Sequence, residues 1–258
     1  MNKNQPSEQI LLHRKFMKNG LSGKEVEPDQ KKGVPQPPIT SPPQTEKSIA
    51  LPQNFEAELG QVDYLKLLQN RRSRRLFAEE GITLQALSFM LYSTQGVQQV
   101  IGKKNFATLR PVPSGGCRHP FETYITVRAV QGLQPGLYHY LPQQHSLEFL
   151  RAIPAYSDTV GTALGGQAWA AKAAAVLFWA ATPYRTEWRY ANSAARLMLM
   201  DAGHIGQNAY LSAEALGLAT CCCAAYAQQT CDELLGLDGE EEFTVYMAPV
   251  GVPQKDEE

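Results

Sequence analysis

Residues 173–182 read AAAVLFWAAT, ten residues without a charge, closed by Pro183. A continuous apolar run of this length, bounded by a proline, suits a strand buried on both faces, because a strand with one wet face alternates. Upstream, Phe121 to Val130 (FETYITVRAV) is rich in β-branched and aromatic residues and predicts a strand. Gly136 to Tyr140 and His145 to Leu150 predict two more, joined by the turn Leu141-Pro142-Gln143-Gln144, so the three read as a meander. Asp158 to Lys172 is helical in pattern.

Downstream, a long helix is expected from Arg185 to Leu216, closed by Gly217 as its C′ residue. Around Leu197, Met198, Leu199 and Met200 it is apolar on every side, which places it in a core or a subunit interface. A strand at Leu218 to Cys223, a short helix at Cys231 to Leu237, a turn at Asp238-Gly239 and a strand at Glu241 to Val250 complete the chain. Nearer the amino terminus, helices over Asp63 to Asn70 and from Thr83, an N-cap, to Ser93 precede the first strand. Helices and strands mix without a strict βαβ repeat, so the fold class expected is α+β.

The chain has 258 residues, and eight of its 17 prolines lie in the first 52, clustered in VPQPPITSPPQ from Val34 to Gln44. Such a stretch favours polyproline II, so residues 1–52 read as an arm or linker and 53–258 as the folded domain. The arm is either a loose tail or is docked through Ile49, Leu51 and Pro52 on the body or a second subunit. With 24 Lys+Arg against 25 Asp+Glu the net charge is -1, which disfavours nucleic-acid and membrane-surface roles. No secretory h-region opens the sequence, and no apolar run approaches the ~18 residues of a membrane span. Five cysteines, three of them consecutive at Cys221, Cys222 and Cys223, make a disulfide framework implausible and point to a reduced, cytoplasmic protein.

Four guanidiniums in five residues, Arg71, Arg72, Arg74 and Arg75 around Ser73, repel one another unless an anion sits among them. Arginine forks and a serine hydroxyl suit a phosphate-bearing ligand; a solvated basic turn at a helix end is the other reading. In Pro113-Ser114-Gly115-Gly116-Cys117-Arg118-His119-Pro120, adjacent glycines let a flat ligand approach the backbone, while Ser114 and Arg118 donate. A plain strand-entry turn is the alternative. Cys117 and His119 make a poor metal site because no second pair lies at ligand spacing, so no metal is expected.

These two segments, with Leu76-Phe77, Asp201-Ala202-Gly203-His204-Ile205-Gly206-Gln207-Asn208 and Ala215-Leu216-Gly217-Leu218, resemble the FMN-dependent nitroreductase superfamily, specifically its SagB-type dehydrogenase branch. That branch includes azoline-oxidising flavoenzymes of modified-peptide biosynthesis, and the resemblance runs from about Pro52 to Pro253. It implies a mainly antiparallel central sheet flanked by helices, in a homodimer with two FMN sites at the interface. By the resemblance, Arg71, Arg72, Ser73 and Arg75 hold the FMN phosphate and ribityl chain. Pro113, Ser114, Gly116 and Arg118 line the isoalloxazine edge, often from the partner subunit. The loop Cys222-Cys223-Ala224-Ala225-Tyr226 offers backbone N–H groups near flavin N5, through Ala224 and Ala225, although Ala225 stands where glycine is usual. The reaction implied is hydride transfer through flavin N5 by ping-pong alternation, on a small-molecule or peptide substrate, with NAD(P)H a candidate electron donor.

Azoline-oxidising members carry a Lys-Tyr pair just before the long helix; this chain has Arg189-Tyr190. A guanidinium cannot serve as a general base, so the change argues against azoline oxidation but not against hydride transfer. Tyr190 is the candidate acid or base, and Arg189 is suited to stabilise or orient an anion. An accessory flavin-binding subunit without turnover is the competing reading. Asp201 and His204, three apart on one helix, read as a buried, mutually satisfied pair rather than catalytic residues. Cys221 to Cys223 read as small buried residues, since successive strand positions face opposite ways.

Overall fold

A computed structural model describes residues 7–17, 26–103 and 106–254. In chain order, α1 (Glu8–Phe16) is followed by β1 (Ile49–Ala50), α2 (Phe55–Leu59), α3 (Tyr64–Asn70) and α4 (Leu84–Gln95). An antiparallel pair, β2 (Gln99–Ile101) and β3 (Ala107–Leu109), precedes the meander β4 (Phe121–Val127), β5 (Gly136–Leu141) and β6 (Ser146–Arg151). Then come α5 (Tyr156–Ala163), α6 (Ala168–Ala171), β7 (Ala175–Ala181), α7 (Tyr184–Tyr190), α8 (Ala194–Ala215), β8 (Ala219–Thr220), α9 (Gln228–Leu235) and β9 (Phe243–Gly251). Among the described residues no helix is long and apolar enough to cross a membrane.

Seven strands make one antiparallel sheet in the order β1-β6-β5-β4-β7-β9-β8. All seven residues of β7 are buried, and its alternation divides them between two cores. Ala175, Leu177, Trp179 and Ala181 pack with Leu87 and Met90 of α4 and Ile205 and Ala209 of α8. Val176, Phe178 and Ala180 pack with Val160 of α5, Ala170 of α6 and Leu234 of α9. Residues 173–182 therefore carry no polar face because neither face meets water. The architecture is α+β, a mainly antiparallel sheet flanked on both sides by helices. Asp63 caps α3 by accepting the Lys66 N–H at 3.2 Å, and Thr83 caps α4 by accepting the Ala86 N–H at 3.0 Å.

Three expectations change. The helix expected over 158–172 is broken by Gly165 and Gly166, whose positive φ of 68° and 79° no helix continues through. The helix expected over 185–216 is two: Ala191, at φ 42° and ψ −121°, ends α7, and a single 3-10 turn leads into α8. The strand expected at 218–223 shrinks to β8 and an isolated bridge from Cys223 to Met247. Around Leu197 to Met200 the apolar girth is divided: Met198 is 7% exposed and faces the core, while Leu199 and Met200, 53% and 52% exposed, are not covered by the chain's own core.

The proline-rich arm lies on the body. Leu51 is buried in the main core and its N–H bonds to the His145 carbonyl at 3.0 Å, the Ser88 hydroxyl donates to the Pro52 carbonyl, and Ile49 pairs with Leu147. Beneath the arm sits a buried charge cluster on β4, β5, β6 and α7. His139 stands between Glu148 (2.8 Å) and Glu122 (3.2 Å), and Arg185 pairs with Glu122 at 2.5 Å. The arm finishes the cluster with backbone donors: Ser41 N–H to Glu122 at 2.7 Å, and Gln44 and Thr45 N–H to Glu148 at 2.8 and 2.7 Å. Burial alone pushes the Glu122 carboxyl up, but Arg185 and His139 outweigh it and hold it below the usual carboxylate range. Charges this buried persist only when every partner is present, so the arm is part of the fold's electrostatics.

Candidate active site

Residues 71–75 leave the end of α3 extended along α8. The Arg71 guanidinium lies 5.3 Å from the Tyr210 ring centre, and the Ser73 hydroxyl is 3.0 Å from the Tyr210 hydroxyl. Arg72 turns back onto the Gln69 carbonyl at 2.8 Å, and Arg75 lies over Trp169 at 5.8 Å. Arg74 differs: it is spent on Glu214 at 2.6 Å. Among the described residues Arg71, Arg72 and Arg75 have no carboxylate partner, so three guanidiniums and a hydroxyl are left as a donor set suited to phosphate.

The Tyr210 hydroxyl also accepts the Cys222 N–H at 3.0 Å, which joins the loop 222–226 to the arginine segment. Gln167 holds the Ala225 carbonyl at 2.5 Å. Ala224 and Ala225 are exposed, and their N–H groups have no acceptor among the described residues. Cys221 and Cys223 sulfurs are 3.9 Å apart, being two positions along one extended segment, while Cys222 points to the Gly206 carbonyl. Burial pushes the Cys223 thiol up to about 12 and raises the Cys222 thiol as well, so neither of these two is an activated thiolate.

The Pro113–Pro120 loop is clamped to the other half of α8. Ser114 donates to Asp201 at 2.6 Å and accepts the His119 N–H at 2.9 Å, while the Gly115 N–H donates to the second Asp201 oxygen at 3.1 Å. Asp201 thus serves the loop and not His204, which is exposed, and the expected mutual pair is not formed. Burial pushes the Asp201 carboxyl up despite these donors. The loop turns through positive φ at Gly116 (60°), Cys117 (54°) and His119 (45°), a strained path for the last two. His119 is held neutral: burial, then Arg110, lower it to about 3.

Gly116 is where Arg189 and Tyr190 arrive. A Cβ on Gly116 would stand 2.5 Å from the Tyr190 hydroxyl and 3.0 Å from Arg189 Nε, so only glycine permits this contact. Arg118 Nε and Nη2 donate to the Gly116 and Phe106 carbonyls at 3.0 and 2.8 Å. The structure therefore brings together residues 113–120 with Arg189 and Tyr190, and separately residues 71–75 with the 222–226 loop. The two groups sit at opposite parts of α8: Asp201 and Tyr210 are nine residues apart, about 14 Å along a helix rising 1.5 Å per residue. Asp201, Tyr210 and Phe106 were not expected at the site. Asp201 and Tyr210 share one helix with i, i+9 spacing, which carries no signal until partners from distant segments are known.

The sequence pattern of the nitroreductase family matches residues 68–252, which include both groups. A nitroreductase-named protein of Methanocaldococcus jannaschii, MJ1384, is 34% identical over 204 residues, covering 76% of this chain and 96% of that protein. The trifolitoxin-processing protein TfxB of Rhizobium leguminosarum bv. trifolii is 33% identical over 116 residues, 42% of this chain and 30% of TfxB. Among solved structures, a nitroreductase-like protein of Anabaena variabilis superposes with a TM-score of 0.64 at 25% identity, over 80% of this chain but only 41% of that one. The E. coli microcin synthetase McbBCD complex with truncated pro-MccB17 bound has a TM-score of 0.59 at 19% identity, over 93% of this chain and 87% of that one, a likeness of fold. With a match across some 185 positions and a relative covered almost end to end, the chain belongs to the nitroreductase family.

Proposed function

We propose that this member of an oxidoreductase family is an FMN-dependent enzyme of the SagB-type dehydrogenase kind, acting as a cytoplasmic homodimer. The observation that carries it is the set of guanidiniums at Arg71, Arg72 and Arg75, left beside Ser73 without a carboxylate among the described residues while Arg74 is neutralised by Glu214. In this reading Arg71, Arg72, Ser73 and Arg75 hold the phosphate and ribityl chain, and the Ala224 and Ala225 N–H groups face the flavin. Pro113, Ser114, Gly116 and Arg118 line the ring edge. Because the two groups lie about 14 Å apart along α8, a complete site is best made by each subunit contributing one half to its partner's.

FMN, when bound, supplies a centre that accepts a hydride from one partner and releases electrons to another. The chain supplies the rest. Asp201 fixes the loop, Gly116 admits Tyr190, Tyr190 holds or passes a proton, and Arg189 orients an anionic group. Similarity to TfxB and the fold of McbBCD support a second reading, azoline dehydrogenation in peptide modification, against which Arg189 stands as a residue unable to act as a base.

The test is the visible spectrum of the purified protein, expected to show about one FMN per chain, bleached by NADH or NADPH. Arg71→Ala with Arg75→Ala loses charge-assisted contacts of about 1.5 to 3 kcal/mol each, weakening FMN by roughly two to four powers of ten. A colourless protein that ignores added FMN refutes the reading. An FMN-loaded protein that no reductant or substrate turns over identifies an accessory flavin subunit instead.

A further inference from the structure

Phe106 is flanked by two guanidiniums. Arg118 lies 4.5 Å from its ring centre and Arg189 lies 5.9 Å from it; Arg118 also lies 5.7 Å from the Trp188 ring, and Arg189 5.7 Å from that of Tyr190. Phe106 and Trp188 meet edge to face at 6.5 Å. Arg118 is 4% exposed, and among the described residues neither guanidinium has a carboxylate partner. Burial first, and then the Arg189 charge, pull Arg118 below the usual arginine range, so the repulsion between the pair is felt.

The same two aromatic rings line a cleft of about 770 Å³ between the body and residues 35–40 of the arm. Lys103 and Gln143 complete its wall, and among the described residues no acidic side chain lines it. Its size is that of a small-molecule site, its walls are largely apolar and aromatic, and the one charge on them is that of Lys103. Two like charges behind the aromatic wall of a cleft that carries a lysine are stabilised by an anion, and a guanidinium fork fits a carboxylate edge-on.

We propose that Arg189, backed by Arg118, forms a carboxylate-binding subsite, and that the substrate is an organic acid whose apolar body lies against Phe106 and Trp188. This rests on the reading that Arg189 and Tyr190 stand on the substrate side of a flavin site. It also gives a reason for arginine at 189: the position reads a carboxylate instead of accepting a proton.

The experiment titrates the purified, flavin-loaded protein with benzoate, its neutral isostere benzamide, and inorganic phosphate, following flavin absorbance and tryptophan fluorescence. Benzoate is expected to saturate, with benzamide at least about tenfold weaker. Arg189→Gln should weaken benzoate by about ten- to a hundredfold with FMN content unchanged, and Arg189→Lys should recover part of it. Equal binding of benzamide and benzoate overturns the proposal. So does phosphate binding as tightly as benzoate, or loss of FMN on Arg189→Gln comparable to that of the Arg71/Arg75 double change, which assigns the pair to a phosphate. If the protein carries no flavin, the fluorescence titration still reads the anion subsite, so the two readings fail separately.

Discussion

The Ser114 hydroxyl donates to Asp201 across 87 residues of sequence, at 2.6 Å, while the other oxygen of that carboxylate takes the Gly115 N–H at 3.1 Å. One buried side chain on α8 thereby sets the entry of the loop that turns through Gly116, and Gly116 in turn leaves room for Tyr190. The position of the expected proton-transfer residue is a consequence of a helix residue that touches it only through the loop.

Asp201→Ala removes both acceptors and leaves a buried hydroxyl and amide unpaired. A loss of about 2 to 3 kcal/mol is expected, or roughly 5 to 10 °C in Tm for a chain of this size. Asp201→Asn keeps one acceptor and should retain about half of that stability. Thermal unfolding of the three proteins decides it: an unchanged Tm for the alanine variant would show that the loop holds its shape without the clamp.

The fold class was legible because β7 is doubly buried and shows it in every residue, and because Asp63 and Thr83 are caps whose hydrogen bonds span only three residues. What was not legible is long-range. The arm looked like a linker because its partners, Glu122 and Glu148, lie about eighty and a hundred residues away, and nothing in a proline-rich stretch signals that its amides will neutralise buried carboxylates. Ala191 broke the long helix against its own propensity, since ending α7 there is what delivers Arg189 and Tyr190 to Gly116. The arginine segment was readable by its chemistry, but which arginine is internally spent depended on Glu214, 140 residues away in sequence.

Glu242 gives a pH-dependent prediction. Burial and then the charge of Glu122 raise its carboxyl to about 7, and Tyr124 donates to it at 3.2 Å. A carboxyl with a raised folded value makes its full contribution below the unfolded value and loses it as pH rises toward the folded one. The parent should therefore lose stability between about pH 4.5 and pH 7 relative to Glu242→Gln, which keeps an acceptor for Tyr124. By about pH 8 the variant should be the more stable, by up to about 3 kcal/mol. Denaturant melts at both ends of that range test the sign; a variant less stable at the alkaline end would mean that Glu242 works as an ion.

Leu199 and Met200 stand out of α8 more than half exposed, near the part of the helix that clamps the 113–120 loop. A helix face this apolar is expected to be covered by a second copy of the chain, since obligate interfaces are large and apolar, commonly above about 2,000 Å². Light scattering should report a dimer, and Leu199→Glu with Met200→Glu should give a monomer that has lost most of its FMN. A stable, flavin-loaded monomer at micromolar concentration is the contrary result.

The last prediction separates chemistry from architecture at Arg189 and Tyr190. The Tyr190 hydroxyl approaches Gly116 more closely than any side chain with a Cβ there would allow, so its place is set by packing, and Tyr190→Phe preserves that packing while removing the proton. If the hydroxyl moves a proton in turnover, the rate with substrate falls about a hundredfold or more, because general acid-base help is worth about 10² to 10⁴, while flavin spectrum and FMN affinity stay the same. Gly116→Ala is the architectural control: it pushes into the hydroxyl from a backbone already at positive φ, and should cut both activity and thermal stability. Arg189→Lys then asks what chemistry the pair serves. A lysine desolvated at this position can exchange a proton where a guanidinium cannot, so gain of azoline oxidation would show that this one position separates the chain from that chemistry. Silence of both Tyr190→Phe and Arg189→Lys toward every substrate tried, with Gly116→Ala still destabilising, would make the pair a structural support for the loop and move the substrate face elsewhere.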